Sequence, residues 1–459
     1  MNTKLLIDFL KKDVESSAKI NVIGDSLFDE YYDVSVDRIS PEFPIPVYRS
    51  NSFDTASGIV PGGAANVAYQ FNNFNVKVEF ISLVSSFAKI IYESRDISTK
   101  YCKVVENIVI PTKRRIYSEN VPLVRWDIEK ENYGLEDIKK HLMDLEIPAS
   151  DWNIFSDYGK GLFVTPWFRK YFSKSGSIVD PKGSNIDLWE DCTVFKPNAK
   201  EARDLSEKKT WKDQVDFFIN SIRCDSVLIT QSGDGVVGKD KNYFEFKPEN
   251  KIARAESVVG AGDCFAAFLS MALARGFELK QAAEIAFAAG SCYVMKKMNT
   301  PVSPSELLEY YNIKVIDCPE LLAKRNYKLV VTNGCFDLLH PGHLESLKFA
   351  KKQGDKLCVV INTDRSVKEL KGSDRPIQPL EDRIKMLHSL NCVDFIVPFD
   401  ESTPEQAYRK MNPDVLVKGE QYKGSVVVGS DFIKEVKLAP MVQGMSTSDI
   451  IKKIIDNNK

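Results

Sequence analysis

The chain has no CxxC pair among its nine cysteines, no apolar run approaching 18 residues, no internal repeat and almost no net charge. Each absence removes a class of function. Cysteines scattered at 102, 192, 224, 264, 292, 318, 335, 358 and 392, odd in number, argue against a disulfide framework or a cysteine metal cluster. They fit a reducing compartment, so a cytoplasmic location is expected. Without a long apolar run no helix is expected to cross a membrane. A formal net charge of −2 gives no electrostatic pull toward nucleic acid or an anionic bilayer. The opening "MNTKLLIDFLKKDVESSAK" carries acids within its apolar stretch and reads as an amphipathic helix rather than a signal peptide.

A length of 459 residues predicts two or three domains. Short apolar runs alternate with helical patterns through both halves, as in "INVIGD" (20–25), "VLIT" (227–230), "KLVVTNG" (328–334) and "KLCVVINTD" (356–364). That alternation predicts parallel sheets and an α/β class, with ligands beyond the C-terminal strand ends. The Pro-punctuated, charged stretch 300–327 marks the boundary. It places one domain at 1–315, a linker at 316–327 and a second domain at 328–459.

Histidine is scarce: His141, His340, His343 and His388 are all there are. Two of them sit three apart in "TNGCFDLLHPGHLESLKFAKKQG" (332–354), where a strand gives way to a helix starting near Pro341 and stopping at Gly354. Unpaired backbone N–H groups and the positive end of the helix dipole converge there. Two imidazoles at that place make a cradle for nucleotide phosphates, able to stabilise charge on a pentacovalent α-phosphorus. Gly342 allows close approach to the backbone. In isolation the same pair has a plainer alternative, helix-capping or core histidines. The surroundings favour a phosphate site: Lys371 in "LKGSDRP" (370–376) is a candidate phosphate ligand, and "GMSTSDI" (444–450) offers hydroxyls at a further helix start.

The pieces "TNGCFDLLHPGH", "LKGSDRPIQPLEDR", "PDVLVKGEQYKG" and "GMSTSDIIKKI" cover nearly all of 328–455 in order. In them this half resembles the cytidylyltransferase-like nucleotidyltransferases, most closely those of heptose activation. The resemblance implies a Rossmann-like domain in which His340 and His343 stabilise the transition state. By the same resemblance Phe336, Lys371, Ser446 and Thr447 contact ATP. A sugar 1-phosphate oxygen would attack the α-phosphate and release pyrophosphate, with Mg2+ on the pyrophosphate portion. Members that use CTP carry an Arg shortly before the "GIST"-like element. Pro440 to Gln443 supply none here, which favours ATP over CTP. Class I aminoacyl-tRNA synthetases share HxGH, but "GMSTS" lacks the lysines of their second motif.

In the first half, "SVVGAGDCFAAFLSMALARG" (257–276) is the most informative stretch. Gly260, Ala261 and Gly262 leave N–H groups bare at a helix start, and Phe265 to Ala274 is apolar nearly all round, so the helix is expected to be buried. Asp263 in its first turn suits a base that accepts a proton from a hydroxyl attacking a phosphoryl group. A capped, buried helix with a structural Asp is the plainer alternative. Asp25 closes the first strand, and "PGGAANVA" (61–68) is Gly-rich with Asn66 opening a helix. "KPNAKEA" sets Asn198 and Glu201 on one side of a helix start. Gly233 and Gly235 in "QSGDGVV" suit a turn over a nucleotide.

With "DRISPEFPIPVYR" (37–49), "TKRRIYSENVPLVRWD" (112–127), "SDYGKG" (156–161) and "DPKGS" (180–184), these motifs occur in the order found in ribokinase-type sugar kinases. The resemblance implies a ribokinase-like fold and assigns roles. Asp263 is the base, and Gly260 to Gly262 form the anion hole. Asn198 and Glu201 organise Mg2+ and phosphate. Asp25, Gly63 and Asn66 contact sugar hydroxyls. Lys113, Arg115, Lys160 and Lys182 are candidates for a phosphate at the sugar's far end, with solvated surface charge as their plain alternative. Segment 37–49 would belong to a strand lid pairing two copies into a homodimer. Residues 80–107 are shorter than usual and lack the family's Gly-Asp-Asp, which raises an altered substrate or a weakened kinase as an alternative. Cys264 stands where Thr or Ser is common and is expected to be a small buried side chain. Taken together the resemblances imply two chemistries on one chain: ATP-dependent phosphorylation of heptose 7-phosphate at O1, and adenylyl transfer to heptose 1-phosphate. The other readings are the same two chemistries on a different sugar phosphate or with CTP, and a kinase-like domain that has lost catalysis and serves as a dimerising or sugar-sensing module beside an active nucleotidyltransferase.

Overall fold

The computed structural model describes residues 2–50, 58–106, 108–119, 121–129, 135–183, 185–248, 255–440 and 456–457. The chain divides into two compact units, Met1–Val302 and Ser303–Lys459.

The first unit is built on an eight-stranded sheet. Its order is Tyr243–Phe246, Val236–Lys239, Ser226–Thr230, Val194–Phe195, Gly176–Asp180, Trp152–Ser156, Ala18–Gly24, Val76–Ile81. Six strands run parallel, and the first two close the edge as antiparallel hairpin strands. Parallel strands are covered on both faces, so they read as unbroken apolar runs: Val22, Ile23, Ile154, Phe155, Ile178 and Val179 are all solvent-free. The helix Ala261–Ala274 is alanine-rich and apolar round its circumference. Phe265, Phe268, Leu269 and Met271 are buried, each burial contributing about 1.5–3 kcal/mol. Cys264 is buried as expected.

A second sheet rises from the long strand Ser26–Ile39, buried at its start and exposed at its end. It pairs with Pro46–Ser50, Ile59–Gly63 and Thr112–Ser118, the last of which pairs with Val121–Ile128. The exposed end carries Val36, Ile39, Phe43, Ile45 and Tyr48, and the outer strand Trp126. The described residues of the short segment, 80–106, are folded. Helix Ser86–Glu93 packs Tyr92, fully buried, whose hydroxyl pairs with Ser26 Oγ at 2.6 Å and donates to Leu27 O at 3.0 Å.

The second unit is a five-stranded parallel sheet in the order Phe395–Phe399, Lys356–Asn362, Leu329–Gly334, Val415–Gly419, Glu435–Ala439. The strand order reverses at Leu329–Gly334, the place where such sheets open a ligand crevice. The boundary differs from the expected one. Residues 303–327, read from the sequence as domain end and linker, belong to this unit. Ser303 caps the helix Pro304–Tyr310 in a capping box with Glu306. Ile396 N donates to Lys314 O and Ile316 N to Ile396 O, so this segment covers the outer edge of Phe395–Phe399. An amphipathic, Pro-containing stretch looks like a linker until its edge-strand partner, about 80 residues on, is known.

Two candidate active sites

In the first unit the helix Ala261–Ala274 starts at Gly260, whose φ of +77° is left-handed and favours glycine. A Cβ there would lie 2.4 Å from Tyr293 Oη and 2.5 Å from Asn66 Nδ2, so the position also needs glycine for space. A Cβ on Gly262 would meet nothing within 4 Å, which leaves its face of the helix start open. Asp263 lies in the first turn and is 2% exposed. Asn66 Nδ2 donates to its Oδ2 at 2.8 Å, and Tyr158 Oη to its Oδ1 at 2.5 Å. Gln70 Nε2 in turn holds Asn66 Oδ1 at 3.0 Å. Burial pushes the Asp263 carboxyl up to about 7, against the two donated hydrogen bonds that favour its ionised form. A buried carboxylate poised near neutrality, at a glycine-opened helix start, is chemically able to take a proton from an attacking hydroxyl.

Asp25 follows the strand Ala18–Gly24. Its carboxylate collects the backbone N–H groups of Tyr158 (2.9 Å), Lys160 (3.0 Å) and Leu162 (3.1 Å). Burial, and next the charge of Asp157, raise its carboxyl to about 6. Gly63 adopts φ +57°, and its successor Ala64 donates to Asp25 O at 3.2 Å. The structure therefore brings Asp25, Gly63, Asn66 and Asp263 to one end of the sheet. The cavity beside Asp25 measures about 30 Å³, room for a water rather than a sugar.

Of the four cations read from the sequence, Lys113 and Arg115 share one face of the strand Thr112–Ser118 near Asp29, while Lys160 and Lys182 pair with other carboxylates. Arg115 Nη1 pairs with buried Asp29 at 2.5 Å, and its guanidinium lies 5.5 Å from the Tyr31 ring centre. Lys160 pairs with Glu129 at 2.7 Å. Lys182 pairs with Glu201 at 2.9 Å. Lys113 is half-buried and has no carboxylate partner at ion-pair distance among the described residues: its ammonium lies 5.1 Å from the Tyr158 ring centre, and burial lowers its pKa against the pull of Asp29 and Asp263.

Asn198 and Glu201 form a capping box on the helix Ala199–Ser206. Asn198 Oδ1 accepts from Lys200 N and Glu201 N, and Glu201 Oε2 accepts from Asn198 N. The spacing thus has a local cause. Glu201 shares its surroundings with Asp180, whose carboxyl is raised by burial and which pairs at 3.0 Å with the fully buried Lys196. Gly233 stands in the turn Ser232–Asp234. Gly235 has φ +111°, where a Cβ would collide with Phe246 O.

In the second unit a cleft of about 720 Å³ opens at the strand ends, lined among others by Phe336, His340, His343, Lys371 and Lys418. His340 caps the helix Pro341–Lys351, with the proline at the first helical position. The two imidazoles stack at 3.8 Å between centres, and Phe336 packs 5.2 Å from His343. Burial, then the charges of His340 and Lys371, push the His343 pKa down to about 4, and burial lowers that of His340. Both rings are therefore neutral near pH 7. His340 Nδ1 is buried without a hydrogen-bond partner among the described residues.

The loop that presents Phe336 is tied down from the opposite wall. Asp337 accepts from Arg375 Nη1 (2.7 Å), Ile377 N (2.7 Å) and Gln378 N (3.0 Å). The fully buried Arg383 donates to Cys335 O, Asn362 O and Asp364 Oδ1. Ser446 and Thr447 lie outside the described residues. Tyr158, Lys196, Asp180, Asp337, Arg383 and Lys418 were not singled out from the sequence. All stand inside quoted motifs or at strand ends, yet only their long-range partners give them roles.

Residues 331–455 match the Cytidylyltransferase-like family, and residues 169–305 match the pfkB family carbohydrate kinases. The chain is 35% identical over 474 residues to Bifunctional protein HldE of a Nitratiruptor species, covering 95% of this chain and 99% of that one. It is 32% identical over 467 residues to Bifunctional protein HldE of Haemophilus influenzae (strain PittEE), covering 95% and 97%. The chain belongs to the HldE family. It is a sugar kinase and a nucleotidyltransferase in one polypeptide, with a ribokinase-like unit first and a cytidylyltransferase-like unit second. A solved structure of phosphofructokinase-2 from Escherichia coli in complex with potassium covers 64% of this chain and 98% of its own, at 16% identity and a TM-score of 0.47. Among the described residues no helix is long and apolar enough to cross a membrane.

Proposed function

We propose that the HldE-family chain acts twice in making an activated heptose. The first unit phosphorylates O1 of heptose 7-phosphate with ATP, and the second transfers AMP from ATP to heptose 1-phosphate, releasing pyrophosphate. The observation that carries this reading is the pairing of two unlike phosphate sites in one chain. One has a single buried carboxylate at a glycine-opened helix start. The other has two neutral imidazoles at a helix start within a nucleotide-sized cleft.

At the first site Asp263 takes the proton of the attacking O1 hydroxyl while the N–H groups of Gly260 and Gly262 receive the γ-phosphoryl charge; that of Ala261, expected to be bare, instead donates to Val258 O at 3.3 Å. Asn66 and Tyr158 hold the carboxylate in place. Asp25, held by three backbone donors, is assigned to the sugar hydroxyls by the resemblance, and binding there needs the site to open beyond the water-sized cavity beside it. Lys113, the one of the four cations without a carboxylate partner among the described residues, is the candidate for the 7-phosphate. Mg2+ fits this site as a guest of the nucleotide. No cluster of three or more metal-ligating side chains occurs among the described residues, whereas Mg2+ commonly takes one or two carboxylates and the substrate's phosphates. Glu201 and Asp180, paired here with Lys182 and Lys196, are the carboxylates that would hold the ion, and the bound ion would neutralise phosphate charge.

At the second site the sugar phosphate oxygen attacks the α-phosphorus. The neutral imidazole N–H groups of His340 and His343, with the N–H of Gly342, stabilise the charge that builds there; the N–H groups of His343 and Leu344 already donate to His340 O. Lys371, Ser446 and Thr447 are assigned to the phosphates. ATP is preferred to CTP because no Arg precedes "GMSTS". The exposed apolar side chains of the strand lid support a homodimer through the kinase unit, and the free cysteines support a cytoplasmic enzyme.

The test is incubation of purified full chain with heptose 7-phosphate and MgATP, followed by mass detection. A heptose bisphosphate is expected. Its absence, with phosphorylation of another sugar phosphate instead, would replace the substrate while leaving the chemistry.

A further inference from the structure

Lys418 lies in the strand Val415–Gly419, one residue from its end, and lines the same cleft as His340, His343 and Lys371. The central strand Leu329–Gly334 is flanked by Lys356–Asn362 and Val415–Gly419. Lys371 follows the first flank, closing the helix Asp364–Lys371, and Lys418 stands on the second. The crevice at the reversal of strand order therefore has a lysine on either flank of the histidine-bearing strand–helix turn.

The surroundings of Lys418 are uncharged. Its ammonium donates to Asn333 Oδ1 at 2.5 Å and lies 4.7 Å from the Tyr422 ring centre. Tyr408 Oη donates to the same Asn333 oxygen at 2.9 Å, which fixes the amide with its oxygen toward the lysine. Other cations of this unit face carboxylates: Arg375 with Asp337 at 2.7 Å, Arg383 with Asp364 at 2.7 Å, Arg325 with Asp414 at 2.9 Å. Lys418 has no ion-pair partner among the described residues. A half-buried ammonium kept without a counter-charge is costly unless an anion arrives. An ammonium has three donors; Asn333 takes one and two remain. Burial alone pushes its pKa down to about 8, so the group is still charged at neutral pH.

We propose that Lys418 is an anion-binding residue of the nucleotidyltransferase site, donating to a phosphate oxygen of a bound substrate from the flank opposite Lys371. The inference rests on the nucleotidyltransferase reading of this cleft. Two substrates bring phosphate there, the nucleotide and the sugar 1-phosphate, and the experiment separates them.

Initial rates of pyrophosphate release are measured for full-length wild type, Lys418→Met and Lys418→Arg, varying MgATP and heptose 1-phosphate separately. Lys418→Met removes the charge at nearly constant length, and thermal melting confirms that the variant is folded. Lys418→Gln serves as the second uncharged replacement should the methionine unfold it. Loss of a charge-assisted hydrogen bond should raise one KM by roughly tenfold or more. A rise for MgATP assigns the contact to the nucleotide, and a rise for the sugar phosphate assigns it to the acceptor. Lys418→Arg should recover most of the loss. Unchanged KM values for both substrates in the uncharged variants overturn the proposal. Wild-type turnover on heptose 1-phosphate independently tests the substrate reading, so the two failures are distinguishable.

Discussion

Tyr158 Oη donates to Asp263 Oδ1 at 2.5 Å, joining the end of the strand Trp152–Ser156 to the first turn of a helix 105 residues later. The bond stabilises the ionised carboxylate. It works against burial, which pushes the same group up to about 7. Tyr158 thereby sets how much of the base is ready at neutral pH.

Kinase activity should therefore have an acid limb near pH 7, because Asp263 must be deprotonated to accept a proton. Tyr158→Phe removes a donor from the ionised form, so the limb in kcat/KM should move to higher pH by about one unit, as expected for a hydrogen bond to a charged group. The profile of ADP release against pH checks this. An unmoved limb would deny Tyr158 that influence.

The same burial has a cost in stability. Asp263 folded has a pKa of about 7 against 3.8 as the ordinary value, so the folded state binds more protons than the unfolded state between those limits. Stability from this group is then fully present at low pH and is lost as pH rises through about 7. Asp263→Asn, which can still accept from Asn66 and donate to Tyr158 Oη, should stabilise the first unit at pH ~8 by about 2 kcal/mol, and by little at pH ~4. Melting curves at the two pH values decide it. A lower Tm at the alkaline pH would contradict the electrostatic account.

The histidine pair and the "GAGD" helix were legible because their causes are local. Scarce residue types, glycines and a proline at the first helical position mark a helix start, and a helix start grips anions whatever surrounds it. The parallel sheets were legible from strand alternation. What stayed hidden depends on tertiary pairing. Lys113, Arg115, Lys160 and Lys182 look alike in sequence, yet Asp29, Glu129 and Glu201 neutralise three of them. Lys418 looks like any strand-end lysine until Asn333, 85 residues earlier, proves to be its uncharged neighbour. Asn198 and Glu201 teach the reverse lesson: their spacing is already accounted for by helix capping.

Lys113 and Arg115 should part company on substitution. Arg115→Met leaves Asp29 buried with its cation gone, and should lower stability by about 3–5 kcal/mol. Lys113→Met should leave the melting temperature nearly unchanged and raise KM for the sugar phosphate roughly tenfold or more. Denaturant unfolding and kinase kinetics on both variants check the pair. Equal stability losses would remove the distinction.

The claim that two separate phosphate sites operate on one chain is tested most directly by measuring ADP and pyrophosphate release side by side in wild type, Asp263→Asn and His343→Ala. Asp263→Asn should abolish heptose-dependent ADP release and leave pyrophosphate release from heptose 1-phosphate and ATP intact. His343→Ala should lower pyrophosphate release by roughly a hundredfold or more and leave ADP release intact. Loss of both activities in either variant, with the fold retained, would contradict it.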